Sequence, residues 1–370
     1  MEKKNKKDPS QMRHGYTTGA CATACTKAAL TALITGEAQE TATIHLPIGR
    51  DVTFTIEKST ISGESVSCET IKDGGDDPDA THGALIVSTV SWQEESGIYL
   101  DGGVGVGRVT KPGLPVAVGE AAINPVPRKM LYSTVEETLS DFNIKRGVKV
   151  IISVPDGEKI AKNTLNGRLG IIGGISILGT RGTVVPFSSS AYRASVVEAI
   201  SVAHATGNDH VVMTTGGRSE RYAMQQYKGL PKEAFIEMGD FVGFAIKHCK
   251  RLGIKRISLV GMMGKFSKVA QGVMMVHSKS KPVNFEFLAQ LARDVDAPEE
   301  IVKQVTEANT ASHVGEIMLE TGNQKFFNHL CEACCMSSLK HVKGGLIMDT
   351  SIYSMKGELL GRADGIDTVD

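Results

Sequence analysis

Two strand-to-glycine passages in the second half of the chain limit its fold more than any other feature. His210-Val211-Val212-Met213-Thr214-Thr215 reads as a buried strand running into Gly216-Gly217-Arg218-Ser219-Glu220. Arg256-Ile257-Ser258-Leu259-Val260 runs in the same way into Gly261-Met262-Met263-Gly264-Lys265. Helical patterns occupy about 191–206, about 240–252 and the stretch after Lys265. Strand, glycine turn and helix in alternation build a parallel sheet. Such a sheet takes its ligand beyond the carboxyl ends of its strands. The second turn is not a nucleotide-triphosphate loop, because Leu259 stands where a glycine is required and Phe266 replaces the serine or threonine. Helices are expected over about 284–340, and Gly344 to Arg362 reads as two closing strands around Lys356-Gly357.

The first half follows a different grammar. Residues 1–12 are expected to be disordered. A threonine cap in Tyr16-Thr17-Thr18 then opens a helix of very small side chains that Gly36 stops. Such a helix suits close packing against a sheet, or an anion at its N-terminus. Residues 41–46 and 51–57 read as a hairpin, and strands follow at about 64–71, 84–91, 97–101 and 148–154, a pattern rich in antiparallel sheet. Asn124-Pro125-Val126-Pro127 opens a helix to about Asp141, with Arg128 and Lys129 in its first turn. Asp101 to Gly113 holds G-x-G-x-G with no helix after it, which excludes the nicotinamide-binding pattern. The apolar, glycine-rich run Asn166 to Gly182 reads either as a backbone cradle for a flat ligand or as a crowded core crossing. The change of grammar places the domain boundary near 190, giving 1–190 and 191–370.

Between two of the early strands lies Asp73-Gly74-Gly75-Asp76-Asp77-Pro78-Asp79-Ala80-Thr81-His82. Four carboxylates and an imidazole in one glycine- and proline-bound turn form either a solvated cap or a chemical site. The cations Arg108, Lys111, Arg128, Lys129, Lys159, Arg168, Arg181, Arg218 and Lys265 fall in glycine- or proline-rich turns, which suits a polycarboxylate or phosphate ligand. His329, Cys331, Cys334, Cys335 and His341 contain Cys-x-x-Cys spacing, but the run lies in an amphipathic helix and lacks a second pair, so packing is expected and no metal is assigned. Cys21 and Cys25 are read as packing residues.

Lysine plus arginine equal aspartate plus glutamate at 41 each, so the net charge is zero. That excludes bulk electrostatic binding to nucleic acid or an anionic membrane. The basic stretch Met1 to Lys7 has no apolar run behind it, and the seven cysteines form no evident disulfide framework. A cytoplasmic location is therefore expected.

Several strings together resemble one family. They are Gly15-Tyr16-Thr17-Thr18-Gly19, the loop Lys72 to Gly83, Gly105-Val106-Gly107-Arg108-Val109-Thr110-Lys111-Pro112-Gly113-Leu114, Ala122-Ile123-Asn124-Pro125-Val126-Pro127-Arg128, and Gly173-Gly174-Ile175-Ser176-Ile177-Leu178-Gly179-Thr180. The chain resembles the cobalt-precorrin-5B carbon-1 methyltransferases of anaerobic cobalamin biosynthesis from about residue 13 to 362. It departs from the pattern at Arg181, where a second threonine is expected. The resemblance implies methylation of carbon 1 of a cobalt corrinoid precursor by S-adenosylmethionine, giving cobalt-precorrin-6A, with the cobalt arriving in the substrate. It implies an α+β first domain of ribosomal-protein-type β-α fold, then a small α/β domain with a parallel sheet. Neighbouring enzymes of the same pathway are the expected protein partners.

On that footing Asp76, Asp77 and His82 are the candidate catalytic residues. The carboxylates are suited to holding the donor's cation, and one of them or His82 to removing a proton. Gly216, Gly217, Ser219, Gly261 and Gly264 are expected at the cofactor. Arg108, Lys111, Arg128, Lys129, Thr180 and Lys265 are expected at the substrate, in a crevice between the domains. The rivals are a corrinoid carrier without chemistry and a zinc hydrolase built on the cysteine run.

Overall fold

The computed structural model describes residues 11–368. The expected disorder over 1–12 falls largely on residues 1–10, which lie outside the described part. The chain divides into two compact units, Met1–Ser189 and Ser190–Asp370. Among the described residues no helix is long and apolar enough to cross a membrane.

The first unit is built on the helix Thr18–Thr35. Thr17 caps it, its hydroxyl oxygen accepting from the Ala20 N–H at 3.2 Å. Gly36, at φ +76°, ends it and returns its N–H to Ala32 O. The helix is buried nearly all round because alanine, cysteine and threonine let neighbours approach from every side. Beside it runs a five-stranded sheet in the order Lys58–Ser62, Ser65–Ile71, Leu85–Gln93, Gly147–Ser153, Ile98–Gly102. Alternation selects the buried face: Val66, Cys68 and Thr70, then Ile86, Ser88 and Val90, then Val148, Val150 and Ile152. Two polar contacts fix the helix on the sheet. The Cys25 thiol donates to Ile86 O at 3.4 Å, and the Thr26 and Ser88 hydroxyls meet at 2.7 Å.

The hairpin Thr41–Leu46 with Arg50–Thr55 pairs antiparallel, Leu46 opposite Arg50. The strand Lys58–Ser62 was not expected; it is an exposed edge with little apolar alternation. One pair also departs from the antiparallel expectation. Gly147–Ser153 runs parallel to Ile98–Gly102, because the connection between them carries the helix Pro125–Asp141.

The second unit holds the sheet Phe235–Glu237, His210–Thr214, Arg256–Met262, Ile347–Tyr353, Leu359–Ile366. The first four strands are parallel and the last is antiparallel. Helices Gly217–Gln226, Val242–Leu252 and Met263–Ala270 connect them, followed by Phe285–Arg293, Glu299–Thr306, Ala311–Glu320 and Gln324–Val342. The helix at Gly217 and the three-residue strand Phe235–Glu237 were not separately expected. Asp349 anchors the closing strand. Its carboxylate accepts from Arg256 Nε and Nη2 at 2.8 Å, from Ser258 Oγ at 2.6 Å and from Gly365 N at 2.8 Å. Burial pushes that carboxyl up, but Arg256 and Ser258 outweigh it and hold it below the usual range.

Candidate functional site

In the first unit the segment Arg13–Gly19 runs between the acidic loop and residues 176–184. On one side the Tyr16 N–H donates to Asp73 O at 2.8 Å, the Asp76 N–H donates to Arg13 O at 2.9 Å, and His14 bridges Gly75. A Cβ on Gly15 would sit 2.1 Å from the Gly74 carbonyl carbon, so only glycine permits this crossing. On the other side Gly15 pairs with Val184 and Tyr16 with Thr183. The Gly19 N–H donates to Leu178 O at 3.1 Å, and the Leu178 N–H donates to the Thr18 hydroxyl at 2.9 Å. Of the two readings of this helix, that favours close packing over an open anion site at its start. The N–H groups of Gly19 and Ala20 already have partners in Leu178 and Thr17.

The acidic loop is held from within and without. Arg13 pairs with Asp73 through both guanidinium Nη atoms, Nη2 lying 2.9 Å from Oδ1, and the Gly75 N–H adds a bond at 2.9 Å. The Arg13 hydrogen bond first, and that of Gly75 next, hold the Asp73 carboxyl down to about 2. Lys72, only 1% exposed, reaches Asp79 Oδ2 at 2.6 Å. Asp79 Oδ1 accepts from the Thr81 N–H and hydroxyl at 2.7 and 2.6 Å. Burial raises the Asp79 carboxyl, and Lys72 with Thr81 brings it below its ordinary value. Asp73 and Asp79 are therefore structural anions. Of the three candidate catalytic residues, Asp76 Oδ2 accepts from the Arg13 N–H and Asp77 Oδ1 from the Phe187 N–H, both at 2.9 Å.

His82 Nδ1 accepts from the Gly74 N–H at 3.0 Å. That bond places the neutral ring's proton on Nε2, so neutral His82 presents a donor rather than a base.

The expected substrate cations in this unit gather only in part. Arg108 donates to Asp101 Oδ2 at 2.7 Å and to Gly119 O at 3.1 Å, while Arg128 reaches Glu120 Oε2 at 3.0 Å. Both thus grip the Gly119-Glu120 turn. Arg128 and Lys129 edge a groove of about 520 Å³ whose apolar wall includes Val116, Ile123, Pro125 and Tyr132. Lys111 lies elsewhere, its stem against Gly170, and Thr180 is exposed beside Gly179. Arg128 and Lys129 lie near the start of the helix Pro125–Asp141, as expected, whereas Lys159, Arg168, Arg218 and Lys265 lie in helices rather than in turns, which corrects their reading.

The glycine-rich run is a crowded core crossing in its middle. A Cβ on Gly174 would lie 2.0 Å from Gly105 O, and one on Gly105 would lie 1.8 Å from Val154 O, which is a crowded crossing. At Gly167 and Gly173 no described atom lies within 4 Å of such a Cβ, so that rim is open.

In the second unit the strand ends carry the residues expected at the cofactor. Cβ atoms on Gly216 and Gly217 would enter open space. The Ser219 hydroxyl donates to Gly216 O at 2.8 Å and accepts from the Thr215 N–H at 3.2 Å, so it shapes the turn. Gly261 is not in a loop, which corrects the expectation. It lies inside Arg256–Met262, where a Cβ would meet the Phe266 ring at 2.3 Å, so its role is packing. Gly264 is an exposed residue of the helix Met263–Ala270. Lys265 joins three strand ends, its Nζ donating to Thr215 O at 3.2 Å and lying 3.0 Å from Asp240 Oδ1.

The cysteine run lies in the core. Cys331, Cys334 and Cys335 are fully buried, and the Cys334 thiol donates to Phe266 O at 3.3 Å. Burial pushes Cys335 up to about 12, and Cys21 likewise to about 12. His329 faces Glu332 and Asp294 instead. Among the described residues no group of three or more metal-ligating side chains is assembled.

A mixed-sheet unit with an acidic loop and a parallel-sheet unit with open strand-end glycines define a two-unit α/β protein. Residues 4–186 match the family model described as CbiD, and residues 275–364 match the one described as CbiD, C-terminal domain. The chain belongs to the CbiD family. It is similar to the cobalt-precorrin-5B C(1)-methyltransferase of Geobacillus sp. (strain WCH70), at 68% identity over 97% of this chain and 98% of that protein. A protein of the same name from Priestia megaterium is 63% identical over 96% of this chain and 97% of its own length. One from Leptospira interrogans is 43% identical over 96% of each. The solved structure of a cobalamin biosynthesis protein (cbiD) from Archaeoglobus fulgidus is 26% identical, covers 84% of this chain and 85% of that one, and has a TM-score of 0.38.

Proposed function

We propose that this chain methylates carbon 1 of cobalt-precorrin-5B, giving cobalt-precorrin-6A, with S-adenosylmethionine as the donor. The observation that carries the reading is the 68% identity, over nearly the whole length of both chains, to a protein of that name. All five strings behind the family resemblance belong to the first unit, where main-chain bonds join the acidic loop, Gly15–Gly19 and Ile177–Leu178. The helix laid across its mixed sheet supports describing that unit as a ribosomal-protein-type β-α fold.

The strand ends of the second unit fit the donor. Gly216 and Gly217 leave room for it. When bound, the donor supplies a methyl group activated by sulfonium charge. Asp76 and Asp77 remain the proposed catalytic carboxylates, chemically suited to stabilise such a charge or to take a proton from the substrate. His82 donates through Nε2 to an acceptor on the substrate rim. Arg128 and Lys129 bind the substrate's carboxylates at the rim of an apolar groove, and Arg108 braces the same turn. Thr180, Lys111 and Lys265 remain candidates for rim contacts. Holding acceptor and donor in line provides much of the rate. A cytoplasmic location accords with seven free, buried cysteines.

The test is turnover without oxygen. Purified protein, S-adenosylmethionine and cobalt-precorrin-5B are mixed, and the corrinoid is followed by mass spectrometry with a labelled methyl. A gain of one methyl at carbon 1 is expected. Tight binding of the macrocycle without methyl gain overturns the reading in favour of a carrier.

A further inference from the structure

We propose that a groove in the second unit takes a carboxylate at the edge of the corrinoid, with Lys268 as its buried cation. The assignment rests on the substrate reading above. Lys268 lies in the last turn of the helix Met263–Ala270 and is only 7% exposed. Its Nζ donates to His277 O at 2.9 Å and to Ser280 Oγ at 3.2 Å. Both acceptors are neutral, and among the described residues the ammonium has no carboxylate partner. The other lysine and carboxylate buried to this degree do have one: Lys72 is paired with Asp79, and Asp349 with Arg256. A buried charge is ordinarily compensated. Lys268 departs from that rule, and one N–H of its ammonium is left for an acceptor from outside the chain.

The groove is the independent sign of a ligand. Ser280, whose hydroxyl the ammonium touches, also lines a groove of about 730 Å³. Val273, Met274, Met275 and Phe287 give it an apolar wall, the exposed Lys281 adds a second cation, and no carboxylate lines it. The methionine side chains can adapt to the outline of a large ligand.

Charge and polarity define the ligand class. A lining with cations and no acid disfavours S-adenosylmethionine, which brings sulfonium and ammonium charges of its own. An apolar wall disfavours a small hydrated anion such as phosphate. A flat apolar body that carries carboxylates at its fringe satisfies both conditions, its ring edge against the methionines and a carboxylate beside Ser280 and Lys281.

The experiment is calorimetric titration of wild type and Lys268→Gln with cobyrinic acid, a corrinoid whose side chains end in carboxylates, and with cobinamide, in which they are amides. Lys268→Gln is expected to bind cobyrinic acid about tenfold more weakly than wild type does, and cobinamide within about twofold of wild type. A lysine that only braced the 277–280 turn would weaken both ligands alike. In wild type, bound cobyrinic acid is expected to shield Lys281 several-fold from acetylation by an N-hydroxysuccinimide ester, read by peptide mass spectrometry, and this reading stands even if the variant does not fold. Undiminished binding of cobyrinic acid by folded Lys268→Gln, an equal loss for both ligands, or an unshielded Lys281 overturns the groove assignment. Wild-type turnover of cobalt-precorrin-5B beside any of these results leaves the proposed reaction standing, and a wild type without turnover overturns that reading as well.

Discussion

The Phe187 N–H donates to Asp77 Oδ1 at 2.9 Å, joining the end of the first unit to its acidic loop. One oxygen of Asp77 is thereby fixed by main chain, and the direction of the other is set with it. A main-chain donor is indifferent to whether its acceptor is a carboxylate or an amide oxygen, which lets charge be separated from position.

Asp77→Asn retains an acceptor for Phe187 and removes the charge. The variant is expected to melt close to wild type while kcat falls by about 10² to 10⁴, the range for a positioned acid or base. Wild-type turnover in Asp77→Asn would move the chemistry to Asp76.

Lys72 is buried and its side-chain partner is the half-buried Asp79 carboxylate, so water cannot replace that partner for the ammonium. Lys72→Met leaves the Asp79 charge uncompensated and is expected to cost about 3 kcal/mol. The urea midpoint of the first unit's transition measures it. Lys72→Met with Asp79→Asn together should recover part of the loss.

Two strand-end glycines should behave oppositely. Gly261→Ala drives a methyl into the Phe266 ring and is expected to cost about 1–3 kcal/mol of stability. At Gly217 the methyl meets no described atom, so Gly217→Ala should melt normally while S-adenosylhomocysteine binding weakens. Thermal melts and calorimetry on the same pair of variants give both readings.

Acid stability follows from Arg13. Its bond holds the folded-state carboxyl of Asp73 at about 2, below an unfolded value of about 4. A depressed carboxyl stabilises the folded state above the unfolded value, and that contribution disappears as pH falls through the folded one. The melting temperatures of wild type and Arg13→Ala should differ from pH 7 down to about 4 and converge toward pH 2. A constant difference across that range would show that Arg13 acts by packing alone.

The helix Thr18–Thr35 was legible in the sequence because its cap and stop residues flank it directly, and the strand faces were legible from Val66, Ile86 and Val148 by alternation. Phe235–Glu237 was not legible, since three residues carry no period. Gly261 reads as a turn because glycine usually marks one. Here the strand continues past it, since the Phe266 ring folds back onto the bare backbone. The partners of Lys72 and the tautomer of His82 depend on how the loop closes on itself, which residue types alone do not specify. Asp73 to His82 could be marked as a unit; which of its carboxylates are structural depended on Arg13 and Lys72.

The small-residue helix buried on every side has a kinetic consequence. Its capping segment is bonded to the acidic loop through main-chain groups of Tyr16, Arg13 and Asp76. A loop moored to an element that cannot leave the core does not flap as a lid. The Tyr16 and Asp76 amides, which make those bonds, should exchange with solvent only as the whole unit unfolds.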